Sequence, residues 1–373
     1  MKLLISWICF LPVCVNISAQ PQVNTLEIGE KAPGFNLPGV DGQMHSLEDF
    51  DQYNILAVIF TCNHCPTAQA YEEKLIDAVD HYKNQGIGFV AISPNSPQAL
   101  SLSELGYSDL GDDMEDMKIR ARDKNYNFPY LFDGETQEIS ISYGPVATPH
   151  VFIFDKNRTL QYTGRIDDTE NPYRTPGQKD MINALEALLK NKPVPVQKTK
   201  TFGCSVKWAW KDEWKKKLLK DWAEAPVGLE EINTEGLQEL VKNKGQKLRL
   251  INFWATWCGP CIIEFPEFIV MDRMYRGRDF EFISVSADKL NKKEKALEFL
   301  KKSEASNTNY IYSGDNTYDL IEAVDKDWQG ALPYTLLVAP GGNVLMRTPG
   351  TIDPLTVKKK IVDYLGRYYA DDK

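Results

Sequence analysis

Two cysteine pairs carry the chemistry available to this sequence: Cys258-Gly259-Pro260-Cys261 and Cys62-Asn63-His64-Cys65. Cysteines two residues apart can close and reopen a short disulfide, or supply half of a zinc site. The first pair follows an apolar run, Leu248 to Trp254, with the length and content of a buried strand. A helix is predicted to start at the cysteines, with Ile262, Phe265 and Phe268 at helical spacing. The free N–H groups and positive end of that helix favour a thiolate on Cys258. Pro260 sits early in the helix, where its missing N–H costs little. Cys261 is one turn deeper, placed to attack a mixed disulfide formed at Cys258. Trp257 and Pro260 suit a docking surface for substrate better than a metal knuckle, so redox chemistry is the favoured reading over zinc.

The elements that position these pairs recur twice along 373 residues, a length that suits two domains. In the first half, strand Tyr53 to Phe60 leads into the Cys62 pair and a helix to about Asn84. Strand Gly88 to Ser93 follows, then an insertion, Pro94 to Tyr126, with an acidic helix around Asp112 to Arg122. A short strand, a short helix, strands Val151 to Asp155 and Leu160 to Ile166, and helix Lys179 to Asn191 complete the unit. In the second half the order is strand Leu248 to Trp254, helix Cys258 to Tyr275 kinked at Pro266, and strand Phe280 to Ser286. An inserted helix, a short strand and another helix follow. A hairpin of Tyr334 to Ala339 with Val344 to Arg347, then helix Pro354 to Tyr369, ends the chain. Between the halves, Trp210, Trp214, Leu218 and Trp222 recur every four residues, an apolar stripe for a helix packed on one or both domains.

The WATWCGPC run with Glu264 and Pro266 resembles the active site of thioredoxin-like proteins, specifically the extracytoplasmic TlpA/ResA-type thiol–disulfide oxidoreductases. The resemblance spans about Ala225 to Tyr369. Asn252 stands where thioredoxin carries a buried aspartate, and the resemblance gives the proton-handling role to Glu264, on the helix face of Cys261. The opening Leu26 to Phe50 resembles the peroxiredoxin-like redoxin family of the AhpC/TSA type. The peroxidatic signature of that family is missing. Ile55 and Val58 stand where its proline belongs, which argues against peroxidase activity beyond a weak thiol peroxidase. Pro149 and Pro333 lie 84 and 72 residues after the second cysteine of each pair. The resemblance makes Thr148-Pro149 and Leu332-Pro333 cis bonds facing the cysteines, with the preceding backbone free to pair with a substrate peptide. The fold class is therefore α/β: two tandem thioredoxin-like domains, each a mixed sheet flanked by helices, joined by a Trp-rich helical linker. The expected boundaries are 21–197, 198–225 and 226–373.

The two sites differ. Leu56 and Ala68 occupy the places of Asn252 and Glu264, so the first site has no acid of its own there. Instead His64 lies between the cysteines, resembling the C-x-H-C sites of disulfide oxidants and isomerases. A histidine there is expected to stabilise the Cys62 thiolate and make the pair more oxidising. Potentials of such sites run near −120 to −180 mV, against about −270 mV for the thioredoxin CGPC. A lesser alternative is a copper- or peptide-binding module. Cys62, Cys65 and His150 form a copper set similar to that of Sco-type chaperones, although those space their cysteines by three residues. Cys204, in a Gly-Cys-Ser-x-Lys-Trp run that resembles the C-terminal end of redoxin-family members, is open to three readings. It could resolve a disulfide at the first site, pair between chains, or pack as a small hydrophobe.

Composition sets the remaining bounds. A net charge of −9 argues against nucleic acid as a partner. Residues 1–20 read as a signal peptide, with Lys2, an apolar core and small residues near Ala19. Export to the periplasm or another extracytoplasmic space is therefore expected, with no stable membrane insertion after cleavage. The redox-active disulfides need no cofactor. The expected partners are disulfide-containing protein substrates and an upstream thiol electron donor.

Overall fold

The computed structural model describes residues 21–369. The segment read as a signal peptide lies outside the described residues. Fifteen strands and ten α-helices are present among them. The strands are β1 (Asn36–Pro38), β2 (Met44–Ser46), β3 (Ile55–Phe60), β4 (Ile87–Ser93), β5 (Tyr130–Phe132), β6 (Ala147–Thr148), β7 (His150–Phe154), β8 (Leu160–Gly164) and β9 (Cys204–Ser205), then β10 (Glu230–Ile232), β11 (Leu248–Trp254), β12 (Phe280–Ser286), β13 (Thr308–Tyr312), β14 (Tyr334–Val338) and β15 (Val344–Pro349). The helices are α1 (Pro66–Tyr82), α2 (Met114–Lys124), α3 (Glu138–Tyr143), α4 (Asp180–Leu189), α5 (Glu213–Ala223), α6 (Thr234–Lys242), α7 (Gly259–Tyr275), α8 (Lys293–Lys302), α9 (Thr317–Val324) and α10 (Pro354–Leu365).

Two mixed sheets organise the molecule. The first has the order β5-β4-β3-β7-β8, the second β10-β13-β12-β11-β14-β15. In each, the strand that leads into a cysteine pair lies near the centre. β3 is parallel to β4 and antiparallel to β7, and β11 is parallel to β12 and antiparallel to β14. Central strands are covered on both faces, so they read as unbroken apolar runs rather than alternating ones. Every residue of Ile55-Leu56-Ala57-Val58-Ile59-Phe60 is buried. Burying each large side chain of such a strand stabilises the fold by about 1.5–3 kcal/mol.

The fold thus has the α/β architecture expected, with shifts of one or two residues at several helix ends. Two features differ further. A strand and helix, β10 and α6, precede β11; the helix is capped by the Asn233 side chain and buries Leu237 and Leu240. The tryptophan stripe is also split. Trp210 lies outside α5 and stacks on Trp208, and Trp214 is 60% exposed. Trp222 is buried beneath the Arg273 guanidinium of α7. α7 itself runs on through Pro266 as one helix.

The insertion between β4 and β5 joins the two halves. Leu100 and Leu105 pack into the core of the second sheet, against the far end of α7. Tyr275 Oη donates to Ser108 O at 2.9 Å, and Arg278 Nη1 donates to Gly106 O at 3.0 Å. Arg367, just beyond α10, pairs with Asp109, which also lies 3.6 Å from buried Arg120. Arg120 bonds Glu72 of α1 at 2.6 Å. An ionic chain therefore runs from the first cysteine helix to the C-terminal segment.

Candidate functional site

The two cysteine pairs sit at the same place in each sheet, where the central strand turns into its helix. At the second site Cys258 is the N-cap of α7, with Gly259 and Pro260 opening the helix. Its Sγ accepts from the Cys261 N–H at 3.3 Å. This is where the unpaired N–H groups and positive helix end favour negative charge on sulfur. Cys258 and Cys261 are joined in a disulfide. Buried Asp288 braces the turn, accepting from Thr256 N and Thr256 Oγ1 at 2.8 Å each.

Glu264 lies one turn after Cys261 with its carboxyl buried. Oε2 accepts from Ile352 N at 2.9 Å, and Oε1 from Asn252 Nδ2 at 3.4 Å. Asn252 also donates to Thr335 Oγ1 across the β11–β14 pairing. Burial pushes the carboxyl up to about 7, against the pull of those two donors. A carboxyl poised there can give and take protons at neutral pH.

The surface around Cys258 is open and apolar. Trp257 is 70% exposed and Ile263 80% exposed, and Pro260 is exposed. The Leu332-Pro333 bond is cis. Ala331 and Leu332 belong to no strand among the described residues, so the backbone before Pro333 is unclaimed by any sheet.

The first site has the same parts in another register. Here Cys65, not Cys62, is the N-cap, and Pro66 is the first residue of α1. All residues from Thr61 to Ala70 are buried. His64 precedes the helix and sits in a polar cage. Its Nδ1 bonds Asp112 Oδ2 at 2.6 Å. Asp112 Oδ1 accepts from the N–H groups of Asn63 and His64 at 2.9 and 3.0 Å, and Oδ2 also accepts from Asn95 Nδ2 at 2.7 Å. Burial opposes charge on both partners. The pairing outweighs it, holding the imidazole above its ordinary value and the Asp112 carboxyl below the usual carboxylate range.

The thiols follow from this. Burial, hydrogen bonding to Cys65 and the negative charges nearby push Cys62 well above an ordinary thiol. Burial also opposes a thiolate on Cys65, but the Cys204 and Cys62 donors and the imidazolium overcome it and bring Cys65 well below the ordinary value. The Cys204 N–H points at Cys65 Sγ from 3.2 Å. One contact acts the other way: the protonated Cys65 thiol donates to Thr148 O at 3.2 Å. Cys62 Sγ lies 3.1 Å from Thr148 Oγ1. His64 therefore supports a thiolate on Cys65, where the sequence placed its influence on Cys62. The helix starts one cysteine later than at the second site.

His150 does not join the cysteines. Its Nδ1 accepts from Val146 N at 3.3 Å and its Nε2 bonds Thr163 Oγ1 at 3.0 Å. Burial holds the ring neutral, lowering it to about 3. The copper set Cys62, Cys65 and His150 is thus not assembled. Among the described residues, the group with metal-ligand types close together is Cys62, His64 and Asp112, with ligand atoms within 4.8 Å of one another. Asp112 already accepts four hydrogen bonds there, which leaves it poorly disposed to a metal. Asp112 and Asn95 were missed as parts of the site by sequence reasoning; Cys204 lies beside Cys65, where one of its three readings put it. Thr148-Pro149 is cis, and Thr148 pairs with Cys204 in the β6–β9 ladder.

The AhpC/TSA family model matches residues 28–163 and the Redoxin family model matches residues 225–361. The thiol-disulfide oxidoreductase ResA of Bacillus subtilis is 28% identical over 151 residues, covering 40% of this chain and 76% of that one. The thiol:disulfide interchange protein HelX of Rhodobacter capsulatus is 29% identical over 140 residues, covering 37% and 73%. An uncharacterized conserved protein from Geobacillus kaustophilus, solved as a crystal structure, is 35% identical, covering 50% of this chain and 94% of that one at a TM-score of 0.44. No helix among the described residues is long and apolar enough to cross a membrane. The chain thus carries two thioredoxin-like domains, the first matching the AhpC/TSA family model and the second the Redoxin family model.

Proposed function

We propose that the protein is an exported thiol–disulfide oxidoreductase that exchanges disulfides with protein substrates, and that the Cys258–Cys261 site performs this exchange. The carrying observation is the open surface of that site: a helix-capping cysteine ringed by exposed Trp257, Pro260 and Ile263, beside the cis Leu332-Pro333 bond, where Leu332 belongs to no strand among the described residues. The Cys258 thiolate attacks a substrate disulfide and forms a mixed disulfide, releasing one substrate thiolate. Cys261 then attacks Cys258 Sγ, frees the second substrate sulfur and closes Cys258–Cys261. Glu264 takes the proton from Cys261 in that step and returns one when an upstream thiol donor reduces the pair. The first site holds Cys62 and Cys65 as a second redox pair tuned by His64. The redox-active cysteines carry the electrons without a cofactor. Export is supported by the signal-like residues 1–20 and would place the protein in the periplasm or another extracytoplasmic space.

The test is reduction of insulin disulfides by the full chain, with dithiothreitol as donor. Turnover that disappears in Cys258→Ser supports the proposal. Turnover that persists in that variant and disappears in Cys65→Ser would assign the reaction to the other site.

A further inference from the structure

The first site differs from the second in one more way: its substrate position is filled by its own chain. Strand β9 pairs antiparallel with β6, placing Cys204 opposite Thr148, immediately before cis Pro149. This is where backbone pairing would otherwise hold an incoming peptide strand. The approach is closer than a side chain permits. Gly203 has φ +128°, and a Cβ there would stand 2.1 Å from Thr148 O. The segment is held at both ends of its run. Lys207 N donates to Asn95 Oδ1 at 2.9 Å, and Lys207 O accepts from Gln137 Nε2 at 2.9 Å. Ala209 N donates to Gln137 Oε1 at 2.8 Å. Asn95 is also a donor to Asp112, so one side chain ties this strap to the His64 cage. Cys204 lies in a cluster with Cys62, Cys65 and Ala68, with its N–H on Cys65 Sγ. Tyr369, from the C-terminal segment, reaches the outer side of Cys204, with Oη 3.9 Å from Sγ.

We infer that Cys204 is the third thiol of the first site, an internal substrate that exchanges with the Cys62–Cys65 disulfide to form Cys65–Cys204. This rests on the reading that Cys62 and Cys65 cycle as a redox pair. The Cys204 sulfur attacks Cys65 Sγ, and the Cys62–Cys65 bond breaks as the Cys65–Cys204 bond forms. The electron pair leaves on Cys62, which takes the proton given up by Cys204. No net oxidation occurs, so no further oxidant is needed. The new bond would fasten the strap across Thr148-Pro149. The first site would then take its disulfide from a small thiol–disulfide compound rather than from a folded protein.

The experiment uses the full chain and oxidised glutathione as the small disulfide. After acid quenching, free thiols are alkylated and the linked peptides identified by mass spectrometry. On oxidation, Cys204 labelling is expected to fall at least about twofold, with a Cys65–Cys204 peptide appearing beside Cys62–Cys65. In Cys62→Ser the competing pair is gone, and Cys65–Cys204 should become the main product at the first site. Accumulation of Cys62–Cys65 with Cys204 labelling unchanged would overturn the inference. So would a Cys62–Cys204 or an interchain Cys204–Cys204 link. If no first-site cysteine is oxidised while Cys258–Cys261 forms, the cycling of the first pair itself fails, and the inference falls with it.

Discussion

The two cysteine sites occupy equivalent points of two similar sheets, yet one is ringed by exposed side chains and the other is sealed. At the second site the strand-to-helix turn exposes Trp257, Pro260 and Ile263. At the first, the whole turn from Thr61 to Pro66 is buried under the insertion and the 203–209 strap. The proline explains part of the contrast. It prefers the first positions of a helix, and the second site carries it between the cysteines while the first carries it after them. Moving it by two places moves the cap from the first cysteine to the second. The acids differ in the same spirit. Glu264 is a buried, lightly bonded carboxyl that can hold a proton near neutrality, whereas Asp112 is saturated with donors and holds the His64 imidazole above its ordinary value. The lesson is that one fold can present a thiol pair as a docking site or enclose it as an internal one.

The contrast can be broken at several points. The largest effect is expected at the nucleophile: Cys258→Ser should lower protein disulfide turnover by at least about 10³-fold, whereas Cys62→Ser should leave most of it, as read by insulin reduction. Next is the cage. Asp112→Asn turns an acceptor of four hydrogen bonds into a group with a donor facing donors, and should cost the first domain about 3–5 kcal/mol, read as a lower urea midpoint. The pH signs differ for the partners. The raised His64 contributes stability that is full below its ordinary 6.5 and is lost as pH climbs through its folded value. The depressed Asp112 contributes stability that is present above 3.8 and is lost as pH falls through its folded value. Asp112→Asn should flatten both limbs.

A smaller effect is expected at Glu264. Glu264→Gln should slow the step that resolves the mixed disulfide by roughly tenfold or more, and should remove a pH dependence centred near 7. The carboxyl's folded value lies above its unfolded one. Its contribution to stability is therefore full below 4.5 and lost as pH rises through about 7, a loss that the glutamine variant should not show in a urea series. Smallest is the difference in potential. His64 beside Cys65 stabilises the reduced form, so the first pair should be more oxidising than the second by tens of millivolts, where about 30 mV corresponds to a tenfold change in equilibrium constant. A site-resolved redox titration with equal or reversed potentials would remove that part of the contrast.

Much of this was legible because the signals are local. Apolar runs of strand length before each pair, Ile262, Phe265 and Phe268 at helical spacing, and a proline before β7 and β14 are all read within a few residues. Helix α6 was not read from the sequence, although Asn233 as a cap and Leu237, Leu240 and Val241 on one face are local marks of it. The pieces that were not legible depend on distance. Asp112 reaches His64 across 48 residues with nothing in the local pattern to couple them, and Cys204 reaches Cys65 across 139, a placement the sequence offered only as one of three readings. His150 offered the right ligand type for copper, but its position on β7 turns it to the Thr163 hydroxyl of the neighbouring strand. The tryptophan stripe suggested one continuous helix, but the chain bends between Trp210 and Trp214, and the stripe is shared among different partners.

The most direct measurement is capture of a substrate on the full chain. The Cys261→Ser variant, which cannot resolve a mixed disulfide at Cys258, is incubated with oxidised insulin, quenched in acid and mapped by mass spectrometry. The account predicts an insulin chain linked to Cys258 and none linked to Cys62, Cys65 or Cys204. Insulin linked to the first-site cysteines, with Cys258 left free, would contradict it.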